Sequence, residues 1–496
     1  MADNLRQAAI SGAKWRVFTI YTTQAVQVVG AFALAWLLDK NDYGLLDAAM
    51  VVISLIRAAT SLGMHYAIIQ RRDRVQEAVD TGFILLLGAA ALSYLVLAVV
   101  APFTKVYALD PALLWALGLL FFLRPAATVT EGAFYRGFHF RRLFVVETAS
   151  AVMGTGLAIG LAWAIPHGQR HWALAIAGLA REGLRALLGW AISPLRPRLR
   201  FDRTVARELL HFNKYLWAAT VVMVLYETVG RQTLVELLSV GALGLYHFAS
   251  TWVSRLGEIS ETIFGSVAIS VYAKVQDDVP RLRESYCRIV RLSALFSTAL
   301  LAGLVLVASE AVPLAFPLRW LPSVPIFHVL GLFYIVRAID TTTGQLYVAV
   351  GKPRYNLWLG VVNLGVVMAT VVPFVVWRGA VGAAFSLLLA RLVTLGCNAL
   401  VLRRVLQCSL ADLAGVVMPA LKAALVMATV VSAGLLGAHR AWGLVGWAPL
   451  LAVAGLGALS YGATIFLWER ALFREMIGLL RDALRGRRAR PDGLAP

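Results

Sequence analysis

Residues 14–54 read KWRVFTIYTTQAVQVVGAFALAWLLDKNDYGLLDAAMVVIS, and residues 214–254 read KYLWAATVVMVLYETVGRQTLVELLSVGALGLYHFASTWVS. The two stretches align without gaps, and ten of the 41 positions are identical, including Lys14 with Lys214 and Gly44 with Gly244. Matches of Leu, Ala and Val arise by chance in so apolar a chain. The lysine, the closing serine and two glycine pairs in one frame nevertheless indicate an internal repeat.

Apolar runs continue from Val17 to Trp468, and each is long enough to cross a bilayer at about 20 residues. All must be helices, because backbone polar groups in lipid find no water to bond. With 60% apolar and 15% charged residues, the chain is predicted to be an all-α integral membrane protein with about 14 transmembrane helices. The predicted spans are residues 15–38, 45–67, 79–103, 110–132, 142–165, 172–193, 210–232, 241–268, 289–309, 322–349, 354–377, 379–402, 413–437 and 446–468.

The repeat sets the predicted domain organisation. It maps span 1 onto span 7, and a weaker match of Gly132 and Tyr135 with Gly344 and Tyr347 maps span 4 onto span 10. An even number of spans between the copies gives them the same orientation, which is a parallel repeat. We therefore predict two six-helix lobes, residues 1–200 and 201–410, then spans 13 and 14 at residues 411–470 and a basic cytoplasmic tail at residues 471–496.

The net charge of +19 is explained by topology. If the N-terminus is cytoplasmic and basic residues near the cytoplasmic starts of spans are counted with that side, 31 of the 46 Lys and Arg residues lie on the cytoplasmic side, 6 lie outside and 9 lie deeper within spans. Basic residues concentrate on the cytoplasmic side of membrane proteins. Both termini are therefore predicted to be cytoplasmic, and the charge requires no nucleic-acid partner.

Nine basic residues fall inside predicted spans, where each would cost about 2.5 to 3.5 kcal/mol in lipid. They must face a hydrated cavity, pair with acids or reach the interface from span ends. Several occupy near-corresponding places in the two copies, which favours a cationic cavity, although a single arginine near a span end is often only an interfacial anchor. The nine are Arg57, Arg124, Arg181, Arg185, Arg231, Arg255, Arg337, Arg391 and Lys422.

Helical spacing pairs some of these residues with acids on the same helix face. The expected pairs are Glu227 with Arg231, Arg337 with Asp340, and Arg255 with Glu258. By contrast, Arg57, Arg124 and Arg391 have no acid at such spacing within their own spans.

The chain resembles bacterial oligosaccharide flippases of the Wzx or polysaccharide-exporter type. These belong to the MOP superfamily, together with MATE transporters and the lipid II flippase. The resemblance covers most of the chain up to about residue 405. It is carried by Gly12–Gln70, with Trp15, the turn from Leu37-Leu38 to Asp42-Tyr43-Gly44-Leu45 and the ending from Leu62-Gly63 to Ala67-Ile68-Ile69-Gln70, by Arg141–Trp163, and by Gly241–Asp278 with Gly244-Leu245-Tyr246.

This resemblance implies a protein of the bacterial inner membrane that moves undecaprenyl-diphosphate-linked oligosaccharide repeat units to the periplasmic leaflet by alternating access of two lobes. The expected partners are that lipid-linked oligosaccharide, membrane lipids and a polysaccharide polymerase. Arginine suits a diphosphate because its planar fork donates two parallel hydrogen bonds and keeps its charge. The predicted cargo-binding residues are Arg57, Arg124, Arg255, Arg337 and Arg391.

Coupling to a proton or sodium gradient is expected to involve Glu227, Arg231 and Asp340. Many relatives carry an Asp–Arg pair in span 7, and here Glu227 and Arg231 are spaced differently. No cofactor, metal site or catalytic constellation is indicated, so an enzyme is not expected.

The main alternative is a MATE-like multidrug or cation antiporter, which should show unpaired carboxylates in mid-span. The nine basic residues are set against about seven acids, several of which have bases nearby: Glu131, Glu147, Glu182, Glu227, Glu258, Glu261 and Asp340. The composition of the spans therefore favours an anionic cargo.

Overall fold

The computed structural model describes residues 2–60, 73–103, 109–137, 139–442, 446–468 and 470. Within these residues the protein consists of α-helices, short 3₁₀ stretches at residues 101–103 and at Leu318–Ser323, and connecting turns. The predicted tail at 471–496 and the Leu62–Gln70 part of the resemblance lie outside the described residues. The helices are α1 (Ala2–Leu37), α2 (Lys40–Thr60), α3 (Val75–Val100), α4 (Pro111–Gly118), α5 (Leu120–Arg136), α6 (Phe140–Ala164), α7 (His171–Ile192), α8 (Arg203–Leu237), α9 (Val240–Lys274), α10 (Val279–Ala315), α11 (Val324–Asp340), α12 (Thr343–Ala349), α13 (Arg354–Arg378), α14 (Ala380–Val405), α15 (Leu410–Trp442) and α16 (Trp447–Trp468).

Ten helical stretches of the described residues are long and apolar enough to cross a membrane. The predicted class, an all-α integral membrane protein, is therefore confirmed, whereas the number fourteen stays a prediction. The helices α2, α7, α8 and α9 are not among the ten, and they carry most of the charged residues singled out in the sequence. The ten stretches are Phe18–Leu37, Val75–Phe103, Pro111–Arg136, Phe140–Ala164, Val279–Ala315, Leu318–Ala349, Arg354–Arg378, Ala380–Val405, Ala411–Arg440 and Trp447–Trp468.

Capping residues explain why some helices begin before their apolar part. Asp202 precedes α8, and its side chain accepts hydrogen bonds from the backbone N–H groups of Thr204 and Val205. Asp278 caps α10 in the same way through the N–H of Arg281. Such caps satisfy backbone donors that a helix start leaves free. The helices α8 and α10 therefore start seven and ten residues before the predicted spans at 210 and 289.

The chain divides into two compact units, Met1–His247 and Phe248–Pro496, and the boundary falls within α9. In unit 1 (residues 1–247), α1 packs on α6, α6 on α7, α7 on α5, and α2 on α8. Small residues permit the close packing of α1 with α6: Leu34 and Leu38 lie in one buried cluster with Ala158 and Ala162. These contacts hold the helices that carry most of the candidate site.

In unit 2 (residues 248–496), α10 packs against α11, α15 and α16. The hydroxyl of Tyr461 on α16 donates a buried hydrogen bond of 2.8 Å to the carbonyl oxygen of Leu295 on α10. The helices α13 and α14 form a tight hairpin, in which Gly379 adopts a φ of 60° at the turn. That backbone conformation favours glycine because other residues meet steric resistance there.

Candidate functional site

Arginine and glutamate side chains from α2, α5, α6 and α7 gather in unit 1. We call this group the unit 1 arginine cluster. Four helices contribute to it, so it is a tertiary feature that no single stretch of sequence displays. Its members are Arg57 on α2, Arg124 and Glu131 on α5, Glu147 on α6, and Arg181, Glu182 and Arg185 on α7.

Arg185 is the paired member of the cluster. Its Nε lies 2.7 Å from Oε1 of Glu147, and its Nη2 lies 2.9 Å from Oε2 of Glu131. A third acid, Glu182, lies 3.8 Å from Nη1. Charge-assisted hydrogen bonds of this kind are the stronger ones in proteins. Arg185 therefore ties α5, α6 and α7 together and has little free charge for a ligand.

The other three arginines of the cluster, Arg57, Arg124 and Arg181, have no salt bridge or side-chain hydrogen bond to any described residue. Arg124 lies within electrostatic range of Arg57, Arg181 and Glu182, and its buried Nε lacks a hydrogen-bond partner. As whole residues, Arg57 is exposed and Arg124 and Arg181 are partly exposed. Four arginines against three glutamates leave one net positive charge, so this cluster can accept an anion.

In unit 2, Arg337 on α11 forms a two-pronged salt bridge with Glu261 on α9. The distances are 2.6 Å from Nε to Oε1 and 3.3 Å from Nη2 to Oε2. The guanidinium also lies 5.6 Å from the ring centre of Tyr334. The expected pairing of Arg337 with Asp340 is wrong, because another helix supplies the carboxylate and Asp340 has a different partner.

That partner of Asp340 is Arg391 on α14, whose Nη2 lies 3.2 Å from Oδ2. The side chain of Asp340 is only 8% exposed. Asn398 donates a hydrogen bond to Asp340 and accepts one from the hydroxyl of Tyr347. This buried chain of polar groups joins α11, α12 and α14. Arg391, which has no acid at helical spacing in its own span, therefore obtains one from a neighbouring helix.

The remaining predicted residues lie on α8 and α9. Arg255 is partly exposed on the unit 2 part of α9, and Glu227 and Arg231 lie one turn apart on α8. Arg231 Nη1 is 3.2 Å from Oδ1 of Asp47 on α2. His247 on α9 approaches the same oxygen, with Nδ1 at 3.0 Å. Asp47 is 3% exposed, so Arg231 and His247 compensate a buried carboxylate.

The glycines of the repeat explain how α2 and α9 come so close within unit 1. A Cβ atom on Gly44 would overlap the carbonyl oxygen of Val240, and one on Gly244 would overlap that of Lys40. Positions 40 and 240 correspond in the repeat, as do 44 and 244. The turn segments of the two copies therefore contact each other reciprocally, beside a recess of about 660 Å³ that Lys40 and Ser239 help to line.

Three residues with polar roles escape the sequence reasoning, Asp47, His247 and Asn398, and Glu261 enters it only as one of the acids within spans. The roles of Glu261 and Asn398 are found only through contacts between different helices. Asp47 and His247 do have a sequence signal, because their numbers differ by 200, the repeat offset. Among the described residues, no group of three or more His, Cys, Asp or Glu side chains lies close enough to hold a metal ion.

A protein-family model described as "Polysaccharide biosynthesis protein" matches residues 33–325, which is more than half of the chain. The chain belongs to this family. The Escherichia coli (strain K12) protein named "Lipopolysaccharide biosynthesis protein WzxC" is 23% identical over 399 residues, 79% of this chain and 80% of that protein. The Rhizobium meliloti (strain 1021) "Succinoglycan biosynthesis transport protein ExoT" is 25% identical over 492 residues, 97% of each chain.

Two solved structures show which fold this member of the polysaccharide biosynthesis family adopts. "Lipid II flippase MurJ, inward closed conformation" aligns with a TM-score of 0.69 and 13% identity, covering 92% of this chain and 99% of MurJ. An inward-facing "multidrug resistance MATE family transporter of the MOP superfamily" aligns with a TM-score of 0.62 and 14% identity, covering 78% of this chain and 96% of that transporter. The family model and the named relatives confirm the resemblance stated from the sequence, whereas these two structures show the fold alone and do not distinguish one kind of cargo from another.

Proposed function

We propose that the protein is a flippase that carries undecaprenyl-diphosphate-linked oligosaccharide repeat units across the bacterial inner membrane, with both termini in the cytoplasm. The polymer made from the units is an exopolysaccharide, capsule or O-antigen, and a polysaccharide polymerase is the partner that consumes them. The mechanism is alternating access through a cationic cavity, without catalysis by the chain itself.

The observation that carries this proposal is the net charge of the unit 1 arginine cluster. Arg57, Arg124 and Arg181 have guanidinium groups with no bonded acid in the described residues, and all three are at least partly accessible. Unpaired positive charge is costly within a membrane protein and marks a binding function. A diphosphate presents oxygen atoms that several arginine forks can bind together.

Of the five predicted cargo ligands, we assign the main part in binding to Arg57 and Arg124. Arg181, which is not one of the five, is added to them. Arg255, Arg337 and Arg391 stay proposed ligands in unit 2. The salt bridges to Glu261 and Asp340 already neutralise Arg337 and Arg391. Arg337 and Arg391 would contact the cargo through their remaining N–H groups and would contribute less to its affinity than the unit 1 arginine cluster.

The names of the relatives support a sugar-polymer cargo, since they refer to lipopolysaccharide biosynthesis and succinoglycan transport. The alternative, a cation antiporter of the MATE type, needs carboxylates that are free to bind a cation. Here Glu261 and Asp340 are each bound by an arginine. The pairing of these acids therefore favours the lipid-linked anion over a cationic drug.

The test uses a strain that lacks the gene and complements it with Arg124→Gln, Arg57→Gln or Arg181→Gln. Each lost charge-assisted contact contributes about 1.5 to 3 kcal/mol, so cargo affinity should fall about tenfold or more. We expect polymer output to drop and lipid-linked repeat units to accumulate in the cytoplasmic leaflet. Arg198→Gln, an exposed arginine in the turn before α8, is the matched control.

Western blotting must find equal amounts of all variants in the membrane. Normal polymer output from all three cluster variants would remove these arginines from the binding site. Failure of the wild-type gene to restore any polymer, with drug resistance gained instead, would overturn the flippase itself in favour of the antiporter.

A further inference from the structure

A separate polar group in unit 1 consists of Asp47, Arg231 and His247. Its carboxylate is buried beneath the two basic side chains, so these charges compensate one another and we assign the group no part in holding an anionic cargo. Asp47 lies on α2, Arg231 on α8 and His247 on α9. Both basic groups approach the same atom, Oδ1 of Asp47, at 3.2 and 3.0 Å. The other oxygen, Oδ2, is buried without a hydrogen-bond partner in the described part of the chain.

The position of the group follows from the repeat. Gly44 and Gly244 contact the carbonyl groups of Val240 and Lys40 reciprocally, so a local pseudo-twofold axis passes between α2 and α9 at this point. A residue three positions further along each helix lies on the same face, about one turn away. Those residues are Asp47 and His247. Equivalent positions of the two copies therefore face each other, one as an acid and the other as a titratable base.

Two features make His247 the member that exchanges a proton. Arg231 remains charged at all relevant pH values, whereas an imidazole can gain and lose a proton. The imidazole is 28% exposed although its Nδ1 is buried, so a proton can reach the ring through its exposed part, whereas Asp47 is 3% exposed. Among the groups that face His247 are Asp47 and Tyr43 from α2 and, through the shared carboxylate, Arg231 from α8.

We propose that Asp47 and His247, positioned by Arg231, form a proton-binding site that couples protonation to the contact between α2 and α9. This deepens the proposed function, on which it rests, by naming the proton as the driving ion and its binding residues. It also revises the expected coupling set: Arg231 remains, Asp47 and His247 are added, and Glu227 is a neighbour one turn away on α8.

The sign of the coupling follows from the charges. A protonated imidazole forms a charge-assisted bond to the Asp47 carboxylate, which is stronger than the bond of a neutral imidazole. Protonation therefore favours the state in which α2 and α9 touch. By linkage, that state binds the proton more tightly, and separation of the helices releases it. The contact is strongest at low pH and weakens as the pH rises.

The experiment measures the α2–α9 contact directly. Nitroxide labels are placed at Asn41→Cys and Ser239→Cys, two exposed positions beside the contact. Cys287, Cys397 and Cys408 are replaced by Ala in the full-length protein. Pulsed electron paramagnetic resonance in nanodiscs then gives the distance distribution. We expect the ratio of close to separated populations to fall about tenfold between about pH 5.5 and about pH 8.

His247→Gln keeps a polar group and cannot gain a charge, so its distance distribution should not change with pH. His167→Gln, an exposed histidine between α6 and α7, is the matched control and should respond as the parent does. A parent distribution that does not change with pH overturns the proposal, whatever the variant does. An unchanged pH response in His247→Gln also overturns it.

Complementation of the deletion strain separates this proposal from the proposed function. Restored polymer output together with a pH-independent α2–α9 distance would remove the proton site and leave the flippase. A pH-dependent distance that disappears in His247→Gln, without restored polymer, would keep the proton site and reject the cargo.

Discussion

At the residue scale, the two salt bridges of unit 2 differ in burial, and burial decides how much each contributes to stability. Asp340 is 8% exposed and is bound by Arg391 and Asn398, whereas Glu261, the partner of Arg337, is 29% exposed. Removing one partner of a buried pair leaves an uncompensated charge and costs about 3 to 5 kcal/mol. Removing one partner of a pair that water reaches costs less stability, because solvent screens the remaining charge.

We therefore predict that Asp340→Ala lowers the thermal unfolding midpoint of the purified protein more than Glu261→Ala does. The double variant Asp340→Leu, Arg391→Met removes both charges of the buried pair and should be more stable than Asp340→Ala. Thermal unfolding in one detergent ranks the three proteins. An equal loss for Asp340→Ala and Glu261→Ala would show that burial does not govern these pairs.

The sequence predicts which residues are charged within the membrane but not always their partners. Spacing on one helix suggests Arg337 with Asp340, since residues three apart share a face. The observed partners come from other helices, Glu261 from α9 and Arg391 from α14. Such pairs depend on how helices pack, and one sequence holds no direct record of that. Only the repeat offset carries contact information, as the pairing of Asp47 with His247 illustrates.

At the element scale, the apolar runs predict most helices well, and the errors have one cause. Hydropathy detects the part of a helix that lies in lipid, so caps such as Asp202 and Asp278 extend α8 and α10 beyond the predicted ends. Four of the predicted spans, in α2, α7, α8 and α9, are not among the ten clearly apolar stretches. These four helices carry Arg57, Arg181, Arg231 and Arg255, and such charged residues lower the hydropathy of the helix that carries them.

The close crossing of α2 and α9 gives an element-scale prediction. Gly44→Ala places a methyl group against the carbonyl of Val240, and overpacking of this kind costs about 1 to 3 kcal/mol. We expect the variant to unfold at a lower temperature and its α2–α9 distance to increase. Alanine alone favours a helix over glycine by about 0.5 to 1 kcal/mol, so a net loss must come from the contact.

Gly156→Ala on α6 is the matched control, because no atom lies within 4 Å of the position its Cβ would take. This variant should unfold at the same or a slightly higher temperature. If Gly44→Ala behaves like Gly156→Ala, the reciprocal glycine contact is not tight in the membrane.

At the scale of the whole molecule, the positions of 31 basic residues on one side and 6 on the other predict the orientation of the chain. Gly168, in the turn between α6 and α7, is predicted to lie outside, and Gly351, in the turn between α12 and α13, inside. Alkaline phosphatase inserted after Gly168 should be active, whereas insertion after Gly351 should give an inactive enzyme. A green fluorescent protein at the C-terminus should fluoresce, and the reverse pattern would invert the topology.

The orientation also decides the direction of coupling. The turns that begin α2 and α9 follow the first and seventh predicted spans, so they lie outside with Gly168. Separation of α2 and α9 would then expose Asp47 and His247 to the outer side, and a driving proton would enter from there and restore the contact.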